Sequence, residues 1–298
     1  MTHSEFLRSL DRETRKQLTR TSNVRGLLHL AGHLGLIAIA IAWIVTGLPF
    51  WWVVPLPLGI LLVFLFTLEH ETVHGTPFAS LWLNRLVGTL CGAVQCIPFT
   101  WFRYFHLAHH KHTNDPDNDP ELEGGKPETP GQYLWHVSGI PLWRSLTAKL
   151  LRQASGSAKD VYLPASQERR VVLEARVHLL GYLGLLSLLV AGQTWVFWCW
   201  LLPLILGQPF LRLYLLAEHG RCPPVADMFE NTRTTYTAAA VRFIAWNMPY
   251  HAEHHTFPAV PFWKLPQLNA LIAQQLKSTS DGYTDFHKDY VGDLTRGR

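Results

Sequence analysis

Charged residues are scarce in this chain of 298 residues. They make up 16% of the sequence, whereas soluble domains carry roughly 25%, so an ordinary soluble protein is not expected. Cysteine is also sparse. Cys91, Cys96, Cys199 and Cys222 have neither zinc-finger spacing nor the spacing of a disulfide framework, so we expect four buried, unpaired thiols. Internal repeats and low-complexity tracts are absent from the sequence.

Apolar residues make up 48% of the chain and are concentrated in blocks. Each block approaches the roughly 20 residues that a helix needs to cross a bilayer. A signal peptide explains the first block poorly, because that block is long and follows about 25 polar residues. The sequence therefore predicts a membrane protein with four transmembrane spans. The blocks cover residues 28–48, 51–68, 177–192 and 195–217.

The distribution of charge predicts how the chain is oriented. Residues 1–27 contain six basic residues against three acidic ones, which places this segment in the cytosol by the positive-inside rule. Two transmembrane hairpins then return the chain to the same side each time, so both termini are expected to be cytosolic. We treat residues 1–298 as a single membrane domain. Its hairpins are residues 28–69 and 176–217, and its other cytosolic segments are residues 70–175 and 218–298.

Two further segments are predicted within the second cytosolic portion. Residues 86–99 are apolar but too short for a span, which favours a re-entrant or interfacial helix. Residues 114–131 are rich in Pro, Gly and Asp, which is typical of a loop.

Three histidine clusters stand at the ends of apolar segments. Their histidines are spaced i, i+3 or i+4, which places the imidazoles of each cluster on one face of a helix. Imidazole is a good ligand for zinc, copper, iron and nickel. The predicted topology puts all three clusters on one side of the membrane, as a shared metal site requires. The clusters are His70-Glu71-Thr72-Val73-His74, His106-Leu107-Ala108-His109-His110 and His251-Ala252-Glu253-His254-His255.

With His219, which follows the fourth span, the candidate ligands number nine. Nine imidazoles are too many ligands for one metal ion and about the right number for two. Two adjacent metal ions with neutral ligands suit a pair of iron ions that activates dioxygen. Neighbouring carboxylates are expected to accept the second N–H of bound imidazoles. The carboxylates predicted for this role are Glu71, Asp115, Asp119, Glu218 and Glu253. We expect His112 to lie behind the ligands or at the surface, and the isolated His3, His29, His33, His136, His178 and His287 to be structural or exposed.

Two other classes of protein compete with this interpretation. Residues 70–74 read as HExxH, the zinc metalloprotease signature in which the glutamate is the general base. A zinc protease would leave six histidines at ligand spacing unexplained. A metal transporter would place its ligands near the middle of the membrane, whereas these histidines lie at span ends. Metal content would separate the three classes.

The pattern HETVH, HLAHHKHTNDPDNDPE and HAEHH resembles the membrane-bound fatty acid desaturase superfamily, which includes alkane and carotenoid hydroxylases and ketolases. The resemblance implies an all-α integral membrane fold with four transmembrane helices in two hairpins. A cytosolic helical cap would hold a di-iron site. Family members commonly recruit one more histidine between the second and third clusters, and His219 fits that position. Some acyl-CoA desaturases have an Asn one turn earlier, where this chain has Leu215.

The activity implied is oxygen-dependent removal of hydrogen from an unactivated C–H bond of a fatty acyl or lipid-like chain. Removal of a second hydrogen gives a double bond, which we favour. Insertion of oxygen gives the alternative, a hydroxylase or ketolase of a lipid, alkane or carotenoid. The same histidines serve both outcomes, so the position of the substrate decides between them.

The sequence contains no cytochrome b5-type haem motif, no ferredoxin cysteine pattern and no G-x-G-x-x-G fingerprint. An external electron donor of ferredoxin, flavodoxin or cytochrome b5 type, with a reductase, is therefore expected; a nucleic-acid partner is not. The basic stretch 144–176, with Arg169 and Arg170, either docks this donor or contacts the membrane surface. The polar patch 231–235 either binds a substrate head group through Arg233 or serves as a helix cap or surface.

Overall fold

The computed structural model describes residues 1–296, and most of them are helical. Four short helical turns also occur, at Trp51–Val53, Pro120–Leu122, Phe197–Leu201 and Phe262–Lys264. In chain order the α-helices are α1 (His3–Ser9), α2 (Arg12–Leu18), α3 (Asn23–Val45), α4 (Pro55–Val63), α5 (Leu65–His74), α6 (Leu81–Gln95), α7 (Phe99–His112), α8 (Pro130–Val137), α9 (Ile140–Ala154), α10 (Ala165–Val190), α11 (Leu202–His219), α12 (Met228–Asn231), α13 (Ala239–Ile244), α14 (His251–Thr256), α15 (Leu265–Ile272) and α16 (Tyr283–Arg296).

Two very short strands depart from the all-α expectation. Strand β1 (Thr234–Thr235) pairs in parallel with β2 (Thr279–Ser280), with Thr234 opposite Thr279. A strand of two residues is too short to produce an alternating apolar pattern, so neither strand could be predicted.

Four helical stretches are long and apolar enough to cross a membrane, which confirms the predicted number of spans. Segment 86–99 falls largely in α6, which packs against α5 and is not among these stretches in the part of the chain that the structure describes. The four stretches are Arg12–Val45, Trp51–His74, Ala165–Val190 and Phe197–His219.

The second and fourth of these stretches form the inner pair. Helices α4 and α11 pack closely against each other. In the most apolar parts of the stretches that contain them, 50% and 44% of the residues are buried. The corresponding values for the stretches that contain α3 and α10 are 22% and 17%. Helices α3 and α10 therefore present most of their apolar side chains outward, as expected of helices that face lipid.

Two glycines allow α4 and α11 to approach each other. A Cβ atom added at Gly59 would lie 2.1 Å from the carbonyl oxygen of Pro203, and one added at Gly207 would lie 2.3 Å from that of Gly59. Small residues are common where membrane helices cross, because they let the two backbones come into contact. The inner pair is therefore fixed by shape at this crossing.

The second stretch is interrupted at Phe64, between α4 and α5. The side-chain amide of Gln95 donates hydrogen bonds to the carbonyl oxygens of Leu62 and Val63 at 2.5 and 2.8 Å. Backbone groups at membrane depth need such partners because no water can satisfy them. Gln95 of α6 thus stabilises the break that precedes the first histidine cluster.

The N-terminal helix α1 packs against the C-terminal portion of the chain, near α14. The ring of Phe6 lies 6.3 Å from that of Phe229, and His3 is hydrogen-bonded to Asp227 through Nδ1 at 3.0 Å. The N-terminal segment and the third histidine cluster therefore lie at the same end of the molecule.

Candidate metal centre

Four helices bring the nine predicted histidines together at the ends of the inner pair. The i, i+3 and i+4 spacing places the imidazoles of each helix on its inward face. Helix α5 carries His70 and His74, α7 carries His106, His109 and His110, α11 ends with His219, and α14 carries His251, His254 and His255.

The imidazoles form two adjoining groups. In each group one nitrogen atom of every member lies within 4.8 Å of the others. His74 adjoins the first group, with its Nε2 2.9 Å from that of His106. The rings of His110 and His255 stack at 4.0 Å and connect the two groups. The first histidine group is His70, His106, His110 and His254, and the second histidine group is His109, His219, His251 and His255.

Hydrogen bonds fix the tautomers in the second histidine group. His219 Nδ1 donates to the carbonyl oxygen of Asn231 at 3.2 Å. His255 Nδ1 donates to the hydroxyl oxygen of Thr113 at 3.1 Å, because that hydroxyl gives its own hydrogen to the carbonyl oxygen of His109. A neutral imidazole carries one N–H, so the Nε2 atoms of His219 and His255 present lone pairs.

These lone pairs converge. The Nε2 atoms of His219 and His255 each lie 3.1 Å from Nε2 of His251. Nε2 of His254 lies 3.2 Å from that of His110 in the first histidine group. Both ring nitrogens of His70 are buried and have no hydrogen-bond partner among the described residues. Converging lone pairs repel one another unless a cation lies between them, so the donor set fits a metal ion in each group.

Burial keeps most of these imidazoles neutral. It lowers the pKa of His106, His110 and His254 well below the ordinary value, and neighbouring imidazoles lower it further. The pKa values of His251 and His255 are lowered in the same way. A metal requires the neutral form of histidine, so these side chains are in the ligating state at neutral pH.

His109 behaves differently because acidic side chains surround it. Burial lowers its pKa, but the carboxylates of Glu121 and Asp119 more than offset this effect and raise the pKa above the ordinary value. Nδ1 of His109 donates to Asp119 at 2.9 Å and lies 3.1 Å from Glu121. This pair of carboxylates makes His109 the most electron-rich imidazole for a cation to bind.

Three of the five predicted carboxylates face a clustered histidine. Asp119 holds His109, Glu71 lies 3.2 Å from Nδ1 of His254, and Glu218 lies 3.3 Å from Nδ1 of His251. Each lies on the side of its imidazole opposite the converging Nε2 atoms, where it orients the ring.

Asp115 and Glu253 contact none of the nine histidines in the described chain. Asp115 lies in the turn after α7, where it approaches only His112, at 4.0 Å. Glu253 lies two residues after His251 and so faces another side of α14. There its carboxylate accepts hydrogen bonds from Thr234 at 2.6 Å and Asn269 at 2.5 Å.

Sequence reasoning missed three groups that contact the histidines, namely Glu121, Thr113 and the carbonyl of Asn231. The acidic segment after the second cluster is a signal that could have indicated Glu121. Nothing in the sequence marks a particular hydroxyl or main-chain carbonyl, so Thr113 and Asn231 could not have been found.

The protease interpretation does not fit the position of Glu71. This residue is fully buried, and its second oxygen accepts hydrogen bonds from Thr76 at 2.8 Å and from the backbone N–H of Phe262 at 3.2 Å. A general base must reach a metal-bound water, whereas both oxygens of this carboxylate face protein groups.

The polar patch 231–235 is buried and favours the capping interpretation. The guanidinium of Arg233 donates to the carbonyl oxygens of Ala217 and Gly220 at 2.9 and 2.6 Å and lies over the ring of Phe286. Arg233 thus satisfies the carbonyls at the end of α11, next to His219, and is not placed to bind a head group.

Two buried histidine groups, each with a donor set that fits a metal ion, lie at the ends of apolar, membrane-length helices. A family model described as Fatty acid desaturase matches residues 49–287. The chain belongs to this family of oxidoreductases, as the three histidine clusters predicted.

Individual relatives share about a quarter of their residues with this chain. Dihydrorhizobitoxine desaturase of Bradyrhizobium elkanii is 24% identical over 96% of this chain and 85% of its own length. The sn-1 acyl-lipid omega-3 desaturase (ferredoxin) of Nostoc sp. (strain 36) is 26% identical over 83% and 69%. Beta-carotene 4-ketolase 3 of Haematococcus lacustris is 24% identical over 71% and 60%. The relatives thus include both desaturases and a ketolase.

Proposed function

We propose that this protein is an oxygen-dependent di-iron oxidoreductase that introduces a double bond into a fatty acyl or lipid-like chain. The convergence of imidazole lone pairs in two adjoining buried groups carries this proposal. Nitrogen-rich neutral ligands suit iron, and the family supplies the reaction class.

Each histidine group would hold one iron. His70, His106, His110 and His254, joined by His74, would bind the first, and His109, His219, His251 and His255 the second. Bound iron would supply the activation of dioxygen, while the protein positions the substrate and excludes water. Glu71, Asp119 and Glu218 would keep the imidazoles oriented.

Hydroxylation or ketolation remains the second candidate activity, and the similarity to a beta-carotene ketolase supports it. The same ligands serve both reactions. Desaturation requires two neighbouring C–H bonds to reach the centre in turn, whereas hydroxylation requires one, so a small displacement of the chain would change the product.

The proposed arrangement is two transmembrane hairpins with the metal centre and both termini on the cytosolic side. An external electron donor would dock on that side, and a ferredoxin is one class of donor to test, because the similar desaturase of Nostoc is named for ferredoxin. The basic start of α10, with Arg169 and Arg170, is one candidate docking surface. Charge reversal of both residues should slow reduction of the enzyme, and unchanged electron-transfer rates would exclude this surface.

Mass spectrometry of lipids from cells that express the protein tests the reaction directly. A product that lacks two hydrogen atoms supports desaturation, and a product that gains one oxygen atom supports the alternative. The matched controls are His109→Ala and His254→Ala, which should abolish the product because each removes a ligand from one group. Full activity of either variant would contradict the proposed function.

A further inference from the structure

A set of hydrogen-bond donors lies outside the metal centre, between α11 and the connection of α8 to α9. Gln208 and Arg212 are one turn apart on α11, and Trp143 lies on α9. They meet near Gly139, where an added Cβ atom would lie 2.5 Å from Cγ of Gln208 and 3.8 Å from Nε1 of Trp143. Arg212 contacts His136, three residues before Gly139. We call Trp143, Gln208 and Arg212 the donor cluster.

The donor cluster lacks matching acceptors in the described part of the chain. Nε2 of Gln208 and Nε1 of Trp143 are buried without a hydrogen-bond partner, and Gln208 is only 2% exposed. A buried donor without an acceptor costs free energy, and native structures contain few of them. Such a pair beside a cation is therefore evidence for a ligand that supplies acceptors.

Arg212 has no acidic partner at short range. Its Nη2 lies 3.3 Å from Nδ1 and 3.0 Å from Nε2 of His136, and no carboxylate among residues 1–296 lies within 4 Å of its guanidinium. Burial and the charge of Arg212 lower the pKa of His136 to about 4, so this imidazole is neutral. Two acids within electrostatic range, Glu121 and Glu218, face His109 and His251 instead.

The position of the donor cluster relates it to both the lipid and the metal centre. Residues 208, 212 and 219 lie on one face of α11, and Arg212 precedes His219 by roughly 10 Å along the helix. Helix α8 packs against α11 and exposes Leu134 and Trp135, and Ile140 at the start of α9 is exposed as well. Exposed apolar and tryptophan side chains of this kind are typical of contact with the membrane interface.

We propose that the donor cluster binds the anionic polar end of the substrate, a carboxylate or phosphate group, while the chain extends toward the histidine groups. This inference rests on the proposed function, because it takes the substrate to be lipid-like. A guanidinium offers two parallel N–H groups to such an anion, and the amide and indole add two more donors. Ionised carboxylate and phosphate groups contribute oxygen acceptors at neutral pH. The donor cluster lacks acceptors of this kind.

Calorimetric titration of the iron-depleted full chain in a neutral detergent tests this site without the reaction. The probes are dodecanoate, dodecyl phosphate and dodecanol, which share one chain and differ in the polar end. The wild type should bind at least one of the two anions about tenfold or more tightly than dodecanol, since hydrogen bonds to charged groups are the strong ones. Preference for one anion over the other identifies the head group.

The variant Arg212→Gln should lose the preference for the anion, and Arg212→Lys should keep part of it, because the charge remains while the planar fork is lost. The matched control is Arg176→Gln, an exposed position on α10 whose side chain reaches only the carbonyl of Ala154; it should bind as the wild type does. If Arg212→Gln does not fold, Gln208→Met serves instead and should weaken anion binding several-fold.

Equal affinity of the wild type for all three probes would overturn the proposal. So would an unchanged preference for the anion in Arg212→Gln or in Gln208→Met. Because binding needs neither iron nor dioxygen, these results are independent of the proposed function, which fails instead if the protein binds no iron or transforms no lipid.

Discussion

Among single residues, the direction in which each imidazole points determines whether the histidines can share a metal ion. The clusters predicted which histidines meet, because helical spacing determines which side chains share a face. They did not predict which carboxylates hold them. Asp119 reaches His109 because the loop after α7 folds back over it, whereas Asp115 in the same loop stays exposed. Loop geometry of this kind has no periodic signal in the sequence.

Asp119→Ala should weaken metal binding. The change removes the carboxylate that accepts the N–H of His109, and loss of such a partner typically lowers metal affinity about 10–100-fold. Iron retained during dialysis against a graded series of chelator concentrations measures the effect. Asp115→Ala is the matched control and should retain iron as the wild type does. Equal retention by both variants would contradict the role of Asp119.

Glu71→Gln separates the orienting role from that of a catalytic base. The amide oxygen can still face Nδ1 of His254, which lies 3.2 Å from the carboxylate, so we expect less than about a tenfold loss of iron affinity and retained turnover. Glu71→Ala should lose iron as Asp119→Ala does. If Glu71→Gln kept its metal but lost all activity, Glu71 would act as a general base, as the metalloprotease interpretation of residues 70–74 proposes.

At the level of helices, hydropathy predicted four spans because each apolar block approaches the length that a bilayer requires. It did not predict the break at Phe64 or the close crossing of α4 and α11. Both depend on contacts between segments distant in sequence, such as Gln95 with Leu62 and Gly59 with Gly207. The pair β1 and β2 was missed because strands of two residues produce no alternating pattern.

Gly59→Leu should destabilise the inner pair. An added Cβ would overlap the carbonyl oxygen of Pro203, and overpacking in a tightly packed interior costs about 1–3 kcal/mol or more. The yield of monodisperse protein and its thermal unfolding in detergent measure the effect. Gly35→Leu on α3 is the control, because a Cβ there meets nothing within 4 Å. If Gly59→Leu and Gly35→Leu lost similar yield and stability, the close crossing of α4 and α11 would not be the cause.

Gln95→Leu tests the break between α4 and α5. It leaves the carbonyl oxygens of Leu62 and Val63 without their donor, which should cost about 1–3 kcal/mol. Thermal unfolding should therefore occur at a lower temperature, and iron occupancy should fall because α5 carries His70 and His74. A variant as stable as the wild type would mean that the break does not depend on Gln95.

At the scale of the whole molecule, the sequence predicted that the three clusters share one side of the membrane. The two adjoining histidine groups draw members from all three clusters, as that prediction requires. Which side this is depends on basic residues alone, so it stays a prediction. The donor cluster at Arg212 could not have been predicted, because α8, α9 and α11 come together only in the folded chain.

Thiol labelling in intact cells tests the orientation. A membrane-impermeant maleimide should label Gln193→Cys, in the exposed turn after α10, but not Ser166→Cys, at its exposed start. Both should react after permeabilisation. The native thiols should contribute little, because Cys91, Cys199 and Cys222 are buried and Cys96 is half-buried. Labelling of Ser166→Cys alone in intact cells would reverse the proposed orientation.

The proposed function requires that the two histidine groups hold two iron ions. The most direct measurement is the metal content of the purified full chain by inductively coupled plasma mass spectrometry, with the double variant His109→Ala/His254→Ala as the blank. Two iron ions per chain are expected, since each group supplies ligands for one. One zinc ion per chain, or no iron above the blank, would contradict it.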